Sequence, residues 1–459
     1  MPFLRNSKFS KALPGILAFL LGSLGYSQDD GRSVGNGGHQ ILSLQDRARV
    51  MNQGLSWRLD HILPDLMRSE GIDMWLVINR EWIEDPVFFT LVPEPMMASP
   101  GCVALIFNDR GQERGVERLS CSSHGMAGSN GPWYNEIWTS RQKKQFESLA
   151  GIIKDRNPKK IGINVSSRWG YGDGLTASLK EDLEKALGPE LSARLVSAGD
   201  LCVRWLETRS PGELSLYRSI GGIAHDIIRE FFSSAVIAPD ITTTENVVWW
   251  IRQRIAALGL ETWFQPSISI QRNAKEPVPD GGDRRVIRRG DLLHCDMGIK
   301  YLGLCTDMQW HAYVCRIGED DAPAGLREAL KRANRVAEIF MIEFKEGKTG
   351  REIALAAMGK AEAEGLGPSI YSHPVGVHGH GAGCTLNAVP PERQDERNVL
   401  RWNWPLHANT AYAIELSSAS TVPEWNNQEV RIAFEETAAF TKEGCRYIDG
   451  HQTEYYLIK

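Results

Sequence analysis

Several familiar motifs are missing from this chain, and each absence removes a class of function. The eight cysteines are scattered, without a CxxC pair or zinc-finger spacing, which excludes a cysteine-based metal or redox motif. No block is dense in lysine and arginine, and the formal net charge is −5, so nucleic acid is not an expected partner. No GxSxG sequence offers a serine nucleophile on a strand-to-helix elbow. Chemistry must therefore be sought among carboxylates and histidines.

Long apolar runs are also scarce, and the one that stands out lies near the N-terminus. Basic residues precede an apolar stretch at 12–26, and the small residues Gly25 and Ser27 stand at the −3 and −1 positions of a cleavage site. This layout predicts a signal peptide at 1–27, followed by a Gly-rich flexible linker at 28–40. An uncleaved membrane anchor is the alternative. We expect an exported protein, periplasmic or secreted, with no membrane association after cleavage.

The remaining sequence divides into two blocks. Buried-strand patterns at 73–79 and 101–108, interleaved with helical stretches, predict an α/β domain over 41–205. The block at 209–459 has the order helix, helix, hairpin, helix, helix and short strands, which predicts an α+β domain with helices packed on a mostly antiparallel sheet. Capping boxes, with Glu three residues after a Ser or Thr, predict helix starts at Ser210, Thr242 and Thr349.

Two aspartates interrupt strand-like apolar sequence in the second block. Asp296 and Asp307 flank the turn sequence at 300–303. A turn centred on Tyr301 and Leu302 would place the two carboxylates directly opposite each other, where Cβ atoms are about 5 Å apart and like charges repel. A divalent cation between them would remove this repulsion. An edge hairpin with two solvated aspartates is the alternative.

Further side chains of the metal-binding type follow in three stretches. They are His373, His378 and His380 among glycines, Glu415 in apolar strand sequence, and the pair Glu435 and Glu436 in another such strand. A buried carboxylate is costly unless it is paired. The alternatives are a salt bridge for Glu415 and a flexible turn for the histidines. Adjacent strand residues point to opposite faces, so only one of the two neighbouring glutamates can face a site, and we expect the other at the surface.

The ordered set Asp, Asp, His, Glu, Glu resembles the creatinase/aminopeptidase P/prolidase/methionine aminopeptidase superfamily, whose catalytic domain has the pita-bread fold. "GDLLHCDMG" with "TDM" is similar to the family's aspartate hairpin, "GHGAG" to its "GHGIG" turn, and "AIEL" and "VRIAFEET" to its glutamate strands. The resemblance implies five metal ligands: Asp296, Asp307, His380, Glu415 and Glu435. It also makes Glu415 the general base. His378 stays open as the ligand histidine or as a catalytic residue.

The same resemblance implies the rest of the interpretation. The fold would be α+β, with a pita-bread catalytic domain preceded by a smaller α/β domain of the creatinase/prolidase type. The cofactors would be two divalent metal ions, Mn or Zn, with Co and Fe open. The substrate would be a peptide, and the activity that of an Xaa-Pro aminopeptidase or dipeptidase. A homodimer also stays open.

The sequence departs from the family at two histidines. None occurs between His225 and His294, where family peptidases have one that contacts substrate. A second family histidine, seven residues past the ligand, corresponds to Asn387 if His380 is the ligand. We therefore expect His373 to contact the substrate. These departures keep a second interpretation open, a catalytically weak or inactive pita-bread module that binds peptides or proteins. A creatinase-like amidinohydrolase is less favoured, because creatinase works without metal.

Overall fold

The computed structural model describes residues 39–122, 133–138, 144–276, 283, 285–388 and 396–459. The predicted signal peptide and nearly all of the predicted linker lie outside these residues. None of the described helices is long and apolar enough to cross a membrane.

The first half of the described chain is built on a six-stranded sheet with the order β4-β3-β2-β1-β5-β6. Its elements are α1 (Leu44–His61), α2 (Leu63–Ser69), β1 (Met74–Arg80), β2 (Cys102–Asp109), β3 (Val116–Ser122), β4 (Asn135–Trp138), α3 (Gln145–Arg156), β5 (Ile161–Ile163), α4 (Ala177–Ser192), β6 (Leu195–Ser197) and α5 (Gly199–Glu207). Strand β1 pairs antiparallel with β2 and parallel with β5. Its first six residues are all buried, because a central strand covered on both faces needs a continuous apolar run. The strands predicted at 73–79 and 101–108 are confirmed.

The second half contains a nine-stranded sheet whose main path is β13-β12-β14-β15-β11-β8-β7, with β16 on β15 and β17 on β11. Its elements are α6 (Pro211–Phe231), α7 (Thr244–Ala257), β7 (Ser267–Gln271), β8 (Leu292–Met297), β9 (Lys300–Tyr301), β10 (Leu304–Cys305), β11 (Met308–Val314), α8 (Ala324–Ile342), α9 (Gly350–Ala363), β12 (Pro368–Pro374), β13 (Leu386–Asn387), α10 (Glu396–Trp402), β14 (Thr410–Val422), β15 (Gln428–Thr441), β16 (Gly444–Tyr447) and β17 (Tyr456–Ile458). Pairing within this sheet is antiparallel except between β11 and β17. The predicted α+β character of this half is confirmed.

Two of the three predicted capping boxes are confirmed, and the third begins one residue later than predicted. Ser210 and Thr349 each cap their helix with a glutamate at the third helical position. On α7 the pair is Thr243 with Asn246. The predicted cap, Thr242, instead accepts a hydrogen bond from the backbone N–H of Ala238, so its hydroxyl is already engaged in the preceding turn.

The predicted register of the aspartate hairpin is wrong by one residue at the turn. The turn residues are Leu302 and Gly303, with φ of 52° and 74°, and Tyr301 pairs with Leu304. Two consecutive positive φ values are typical of the tight hairpin turn that matches strand twist, which glycine at the second position favours. Shifting the turn by one residue moves each partner by two. Asp296 therefore lies opposite Gln309, and not opposite Asp307.

A buried ion cluster joins the two halves. Arg58 from α1 donates to Glu213 at 2.9 Å and lies over the ring of Trp205, 4.2 Å from its centroid. Arg209 donates to the same carboxylate at 3.0 Å. Burial pushes the pKa of Glu213 upward, but the two guanidinium groups outweigh it and hold that pKa at about 2. The helix that begins the second half is thus fixed against the first.

Candidate metal centre

The candidate site lies on adjacent strands in the middle of the nine-stranded sheet. Its residues are His373 on β12, Glu415 on β14, Glu435 on β15, Asp307 just before β11, and Asp296 on β8. Glu415 is the register partner of Glu435. The hydroxyl of Thr437 accepts from the N–H of Asp307 and donates to its carbonyl oxygen, both at 3.1 Å, which fixes this non-strand residue beside β15. Sheet pairing, together with these two hydrogen bonds to Asp307, therefore brings the carboxylates together.

Three of these side chains lie close enough together to bind one ion. His373 Nε2 lies 3.4 Å from Asp307 Oδ2, 3.7 Å from Glu435 Oε1 and 3.9 Å from Glu415 Oε2. Asp307, His373 and Glu435 are all buried, and each offers a ligand atom within 4.8 Å of those of the other two. Ligand atoms about 2.1 Å from a shared ion are themselves about 3–4 Å apart. The spacing therefore fits a metal ion.

The hydrogen bonds of these side chains also fit a bound metal ion. Asp307 Oδ1, His373 Nε2 and Glu435 Oε1 are buried and have no hydrogen-bond partner among the described residues. His373 Nδ1 lies 3.0 Å from the carbonyl oxygen of Pro374, so Nδ1 carries the proton and Nε2 presents its lone pair. Metal-binding histidines commonly have this arrangement. Burial also lowers the pKa of His373, which keeps the ring neutral. The donor set fits a divalent cation.

Ionising all of the carboxyl groups together is unfavourable unless a cation joins them. Burial, and then repulsion from Asp307, raises the pKa of Asp296 to about 7. Burial raises the pKa of Glu415 to about 7, with the charges of Asp307 and Asp296 adding to the effect against the opposing influence of His373. The pKa values of Asp307 and Glu435 lie well above their usual range, mainly because both are fully buried. A divalent ion bound among these carboxyl groups would lower their pKa values and stabilise the ionised forms.

These pKa shifts predict how metal-free protein responds to pH. A carboxyl group whose pKa is higher in the folded state stabilises the fold below its unfolded pKa of about 4, and this contribution is lost as pH rises to about 7. The melting temperature of chelator-treated protein should therefore fall between pH 4.5 and 7.5, and Mn²⁺ should restore it at pH 7.5. Calorimetry at constant ionic strength measures this. In the double variant Asp296→Asn/Glu415→Gln, the melting temperature should fall less steeply with pH than in wild type. An equally steep fall would contradict the assignment of this pH dependence to the two carboxyl groups.

The histidines are arranged differently from the expectation. The structure places His373 among the carboxylates, whereas His380 was the predicted ligand and His373 the predicted substrate contact. His380 is exposed, and its ring packs edge-on against His373 at 4.6 Å and against Trp263 at 5.2 Å. The spacing between His373 and His380 is seven residues, which equals the spacing between the family's ligand histidine and its second histidine. Aligning "GHGAG" with the family turn placed His380 at the ligand position and left this spacing unused.

His378, the open alternative, also lies outside the group of ligand atoms. Its ring packs at 4.9 Å against Tyr171, which comes from the first half of the chain. Burial, followed by the charges of Lys300 and Arg209, lowers the pKa of His378 to about 4. Between the two loop histidines, a Cβ at Gly379 would lie 2.0 Å from Trp263, so a larger residue would push that ring away. The loop is therefore closely packed on both sides.

Glu435 and Glu436 point to opposite faces, as strand geometry requires, but Glu436 is not a surface residue as expected. Its side chain is buried on the opposite face of the sheet from Glu435. There it accepts a hydrogen bond from Trp310 Nε1 and lies 3.2 Å from His225 Nε2. Gln309 was not predicted as a site residue, but its side-chain amide donates to both Glu415 and Glu435. Its position two residues after Asp307, on the same strand face, is the signal that could have identified it.

Comparison with known proteins identifies the family of the second half of the chain. Residues 215–442 match metallopeptidase family M24. This region is therefore an M24 metallopeptidase domain, and the resemblance to the creatinase/aminopeptidase P/prolidase superfamily is confirmed.

Two curated relatives are methionine aminopeptidases of archaea. That of Thermococcus onnurineus (strain NA1) is 33% identical over 118 residues, which is 25% of this chain and 38% of that protein. That of Pyrococcus abyssi (strain GE5 / Orsay) is 35% identical over 98 residues, which is 21% of this chain and 32% of that protein. The chain thus spans about a third of the length of these relatives.

Solved structures extend the likeness over most of the chain. An X-Pro aminopeptidase from Thermotoga maritima MSB8 superposes with a TM-score of 0.60 at 15% identity, covering 86% of this chain and 99% of that one. An Xaa-Pro dipeptidase from Bacillus anthracis gives 0.55 at 15% identity, covering 90% and 99%. At this identity the likeness shows the fold, and the predicted α+β pita-bread architecture is confirmed.

Proposed function

We propose that the chain is a dinuclear metal-dependent peptidase that hydrolyses Xaa-Pro peptide bonds, as an aminopeptidase or a dipeptidase. The observation that carries this proposal is the set of buried, unpartnered ligand atoms on Asp307, His373 and Glu435. The M24 match supports hydrolysis of peptides, and the named structural neighbours support the Xaa-Pro preference. Mn and Zn are the favoured metals, with Co and Fe as further candidates, since carboxylate and imidazole ligands suit all four.

The proposed ligands are Asp296, Asp307, His373, Glu415 and Glu435. This set replaces His380, as assigned from the sequence, by His373. Divalent ions bound here would lower the pKa of water and polarise the scissile carbonyl. The protein's own contribution is to hold four carboxylates and one neutral imidazole on the face of a rigid sheet.

Glu415 is the proposed general base. It is the most exposed of the three residues that approach His373 Nε2, with 28% of its side chain accessible, so a water molecule can reach it. Its oxygen Oε2 faces His373, while Oε1 accepts from Gln309. The side chain is thus held in a single orientation.

His380 and His378 are the proposed contacts of the substrate. His380 is exposed beside the ligand histidine, where an imidazole can deliver a proton to the leaving amine. Tyr171 donates a hydrogen bond to the carbonyl oxygen of His380, which fixes the loop from the other half of the chain.

Export, a homodimer and the domain limits 41–205 and 209–459 stay predictions.

A panel of peptides tests the proposed function. Protein loaded with Mn²⁺ or Zn²⁺ should cleave Xaa-Pro dipeptides or longer Xaa-Pro peptides at least about tenfold faster than the matching Xaa-Ala peptides, because a proline-shaped site discriminates by packing. Mass spectrometry of the products measures both rates and identifies the bond cleaved. Preferred release of N-terminal Met would favour the activity named for the archaeal relatives. No cleavage of any peptide by fully metal-loaded protein would favour the peptide-binding module.

A further inference from the structure

The tip of the aspartate hairpin, residues 300–305, is held by residues near the start of the described chain. The side chain of Ile41 packs against the apolar cluster that contains Tyr301 and Leu304. The N–H of Leu42 donates to the Tyr301 hydroxyl at 2.9 Å. The first half of the chain therefore completes the surroundings of a hairpin that belongs to the second half.

Arg47, in the first turn of α1, strengthens this contact through three interactions. Its Nε donates to the carbonyl oxygen of Leu42 at 2.9 Å, and its Nη1 donates to the carbonyl oxygen of Gly259 at 2.6 Å. The guanidinium group also lies over the Tyr301 ring, 5.0 Å from its centroid, where the face of the ring attracts a cation. A planar guanidinium group can make all three interactions at once. Arg47 thus joins the N-terminal segment, the hairpin tip and the residues after α7.

The residues after α7, 259–263, contact both strands of the hairpin. The hydroxyl of Thr262 donates to the carbonyl oxygen of Gly298 at 2.8 Å, and Trp263 Nε1 donates to that of Thr306 at 2.9 Å. A Cβ at Gly298 would lie 2.4 Å from Trp263 Nε1, so the two segments are closely packed. Gly298 follows the first ligand aspartate by two residues, and Thr306 directly precedes the second. Contact with 259–263 therefore helps to set where both carboxylates lie.

We propose that Arg47 is a positioning residue that holds the aspartate hairpin in the arrangement that binds metal. Without it, the hairpin tip and residues 259–263 lose their shared anchor, and the protein populates states in which the two carboxylates are displaced. The apparent affinity for metal then falls in proportion to the fraction of molecules in the binding arrangement. The inference rests on the metal centre of the proposed function and extends its support to the first half of the chain.

The variant Arg47→Met tests the proposal in full-length protein without any peptide. Methionine removes the charge and both hydrogen bonds but keeps a long side chain. The free Mn²⁺ concentration that half-saturates the protein, measured by equilibrium dialysis, should rise about tenfold, as expected if about one molecule in ten keeps the binding arrangement. Hydrogen exchange of metal-free protein, followed by mass spectrometry, should become at least about tenfold faster at the hairpin tip. Exchange in Met74–Arg80, in the first-half sheet, should stay unchanged.

Two further variants separate positioning from a general effect on stability. Arg49→Met is the matched control, because Arg49 lies on the same helix, is half exposed and pairs with Asp46 at the surface. It should change neither Mn²⁺ binding nor exchange at the tip. Tyr301→Phe removes only the hydroxyl that accepts from Leu42 and leaves the ring for Arg47. It should weaken Mn²⁺ binding by about threefold, less than Arg47→Met, because a single hydrogen bond is lost.

Two results would overturn the proposal. One is an Arg47→Met variant that binds Mn²⁺ as tightly as wild type, whatever its exchange rates. The other is exchange that rises equally at the hairpin tip and in Met74–Arg80, which a general loss of stability would produce. If Arg47→Met does not fold, wild-type Mn²⁺ affinity in Tyr301→Phe would overturn the proposal instead. Metal-loaded protein that cleaves no peptide would overturn only the proposed function, whereas wild type that binds no Mn²⁺ would overturn this proposal and the metal centre together.

Discussion

Glu415→Gln is expected to lower the turnover of Xaa-Pro peptides by about 10²–10⁴-fold while the protein keeps most of its metal. The amide retains the shape of the side chain and an oxygen that can face His373. It cannot accept a proton from water, which is the step assigned to this residue. Initial rates at saturating substrate, with metal content measured on the same samples, give both quantities.

The matched control is Glu436→Gln on the neighbouring strand. This residue undergoes the same chemical change but points to the opposite face of the sheet, toward His225 and Trp310. Its turnover per folded, metal-loaded molecule should stay within a few-fold of wild type. Full activity of Glu415→Gln with full metal would remove Glu415 from the mechanism.

His373→Ala is expected to remove most of the bound metal, whereas His380→Ala should keep it and lose turnover instead. The imidazole of His373 is the only ring within 3.4–3.9 Å of three site carboxylates in the described structure. Removing His373 takes a neutral nitrogen donor away from the ion, so affinity for the ion falls steeply. Elemental analysis after dialysis at a fixed free Mn²⁺ concentration measures this directly.

His378→Ala serves as the control from the same loop, since it removes an imidazole without touching the carboxylates. It should keep its metal. If His380→Ala lost the metal and His373→Ala kept it, the ligand assignment made from the "GHGAG" turn would be restored. The exposed position of His380, packed edge-on against His373, would then need a different explanation.

The sequence predicted those parts of the structure that follow from periodicity and local capping. Apolar runs at 73–79 and 101–108 became strands, and Ser210 and Thr349 cap their helices. The error on α7 arose because two adjacent threonines both fit a capping pattern. The choice depends on the preceding turn, where the N–H of Ala238 donates to the hydroxyl of Thr242. Thr243 is then the threonine whose hydroxyl is free to cap the helix.

The site was harder to predict, because its details depend on register. Glycine is common both at the last position of a turn and at the second central position, so Gly303 fits two neighbouring turn centres. The observed centre makes Gln309, and not Asp307, the partner of Asp296. Motif similarity favoured His380, since glycines surround it as in the family turn. Contact across strands favours His373, and no one-dimensional motif contains that information. No motif distinguishes Gln309, which is a single glutamine in the strand that follows Asp307.

The most direct test of the account is peptide hydrolysis by chelator-treated protein as Mn²⁺ is added back, with Asp307→Ala measured alongside. Asp307 is buried, lies 3.4 Å from His373 Nε2 and has an unpartnered carboxylate oxygen, so its loss should disable the metal centre. Wild type should be inactive without metal, and its cleavage of Xaa-Pro peptides should rise with Mn²⁺ until it saturates. Asp307→Ala should stay at least about 10³-fold lower at every concentration tested, consistent with loss of a metal-based nucleophile. Cleavage by wild type that persists without metal, or by Asp307→Ala at the wild-type rate, would contradict the account.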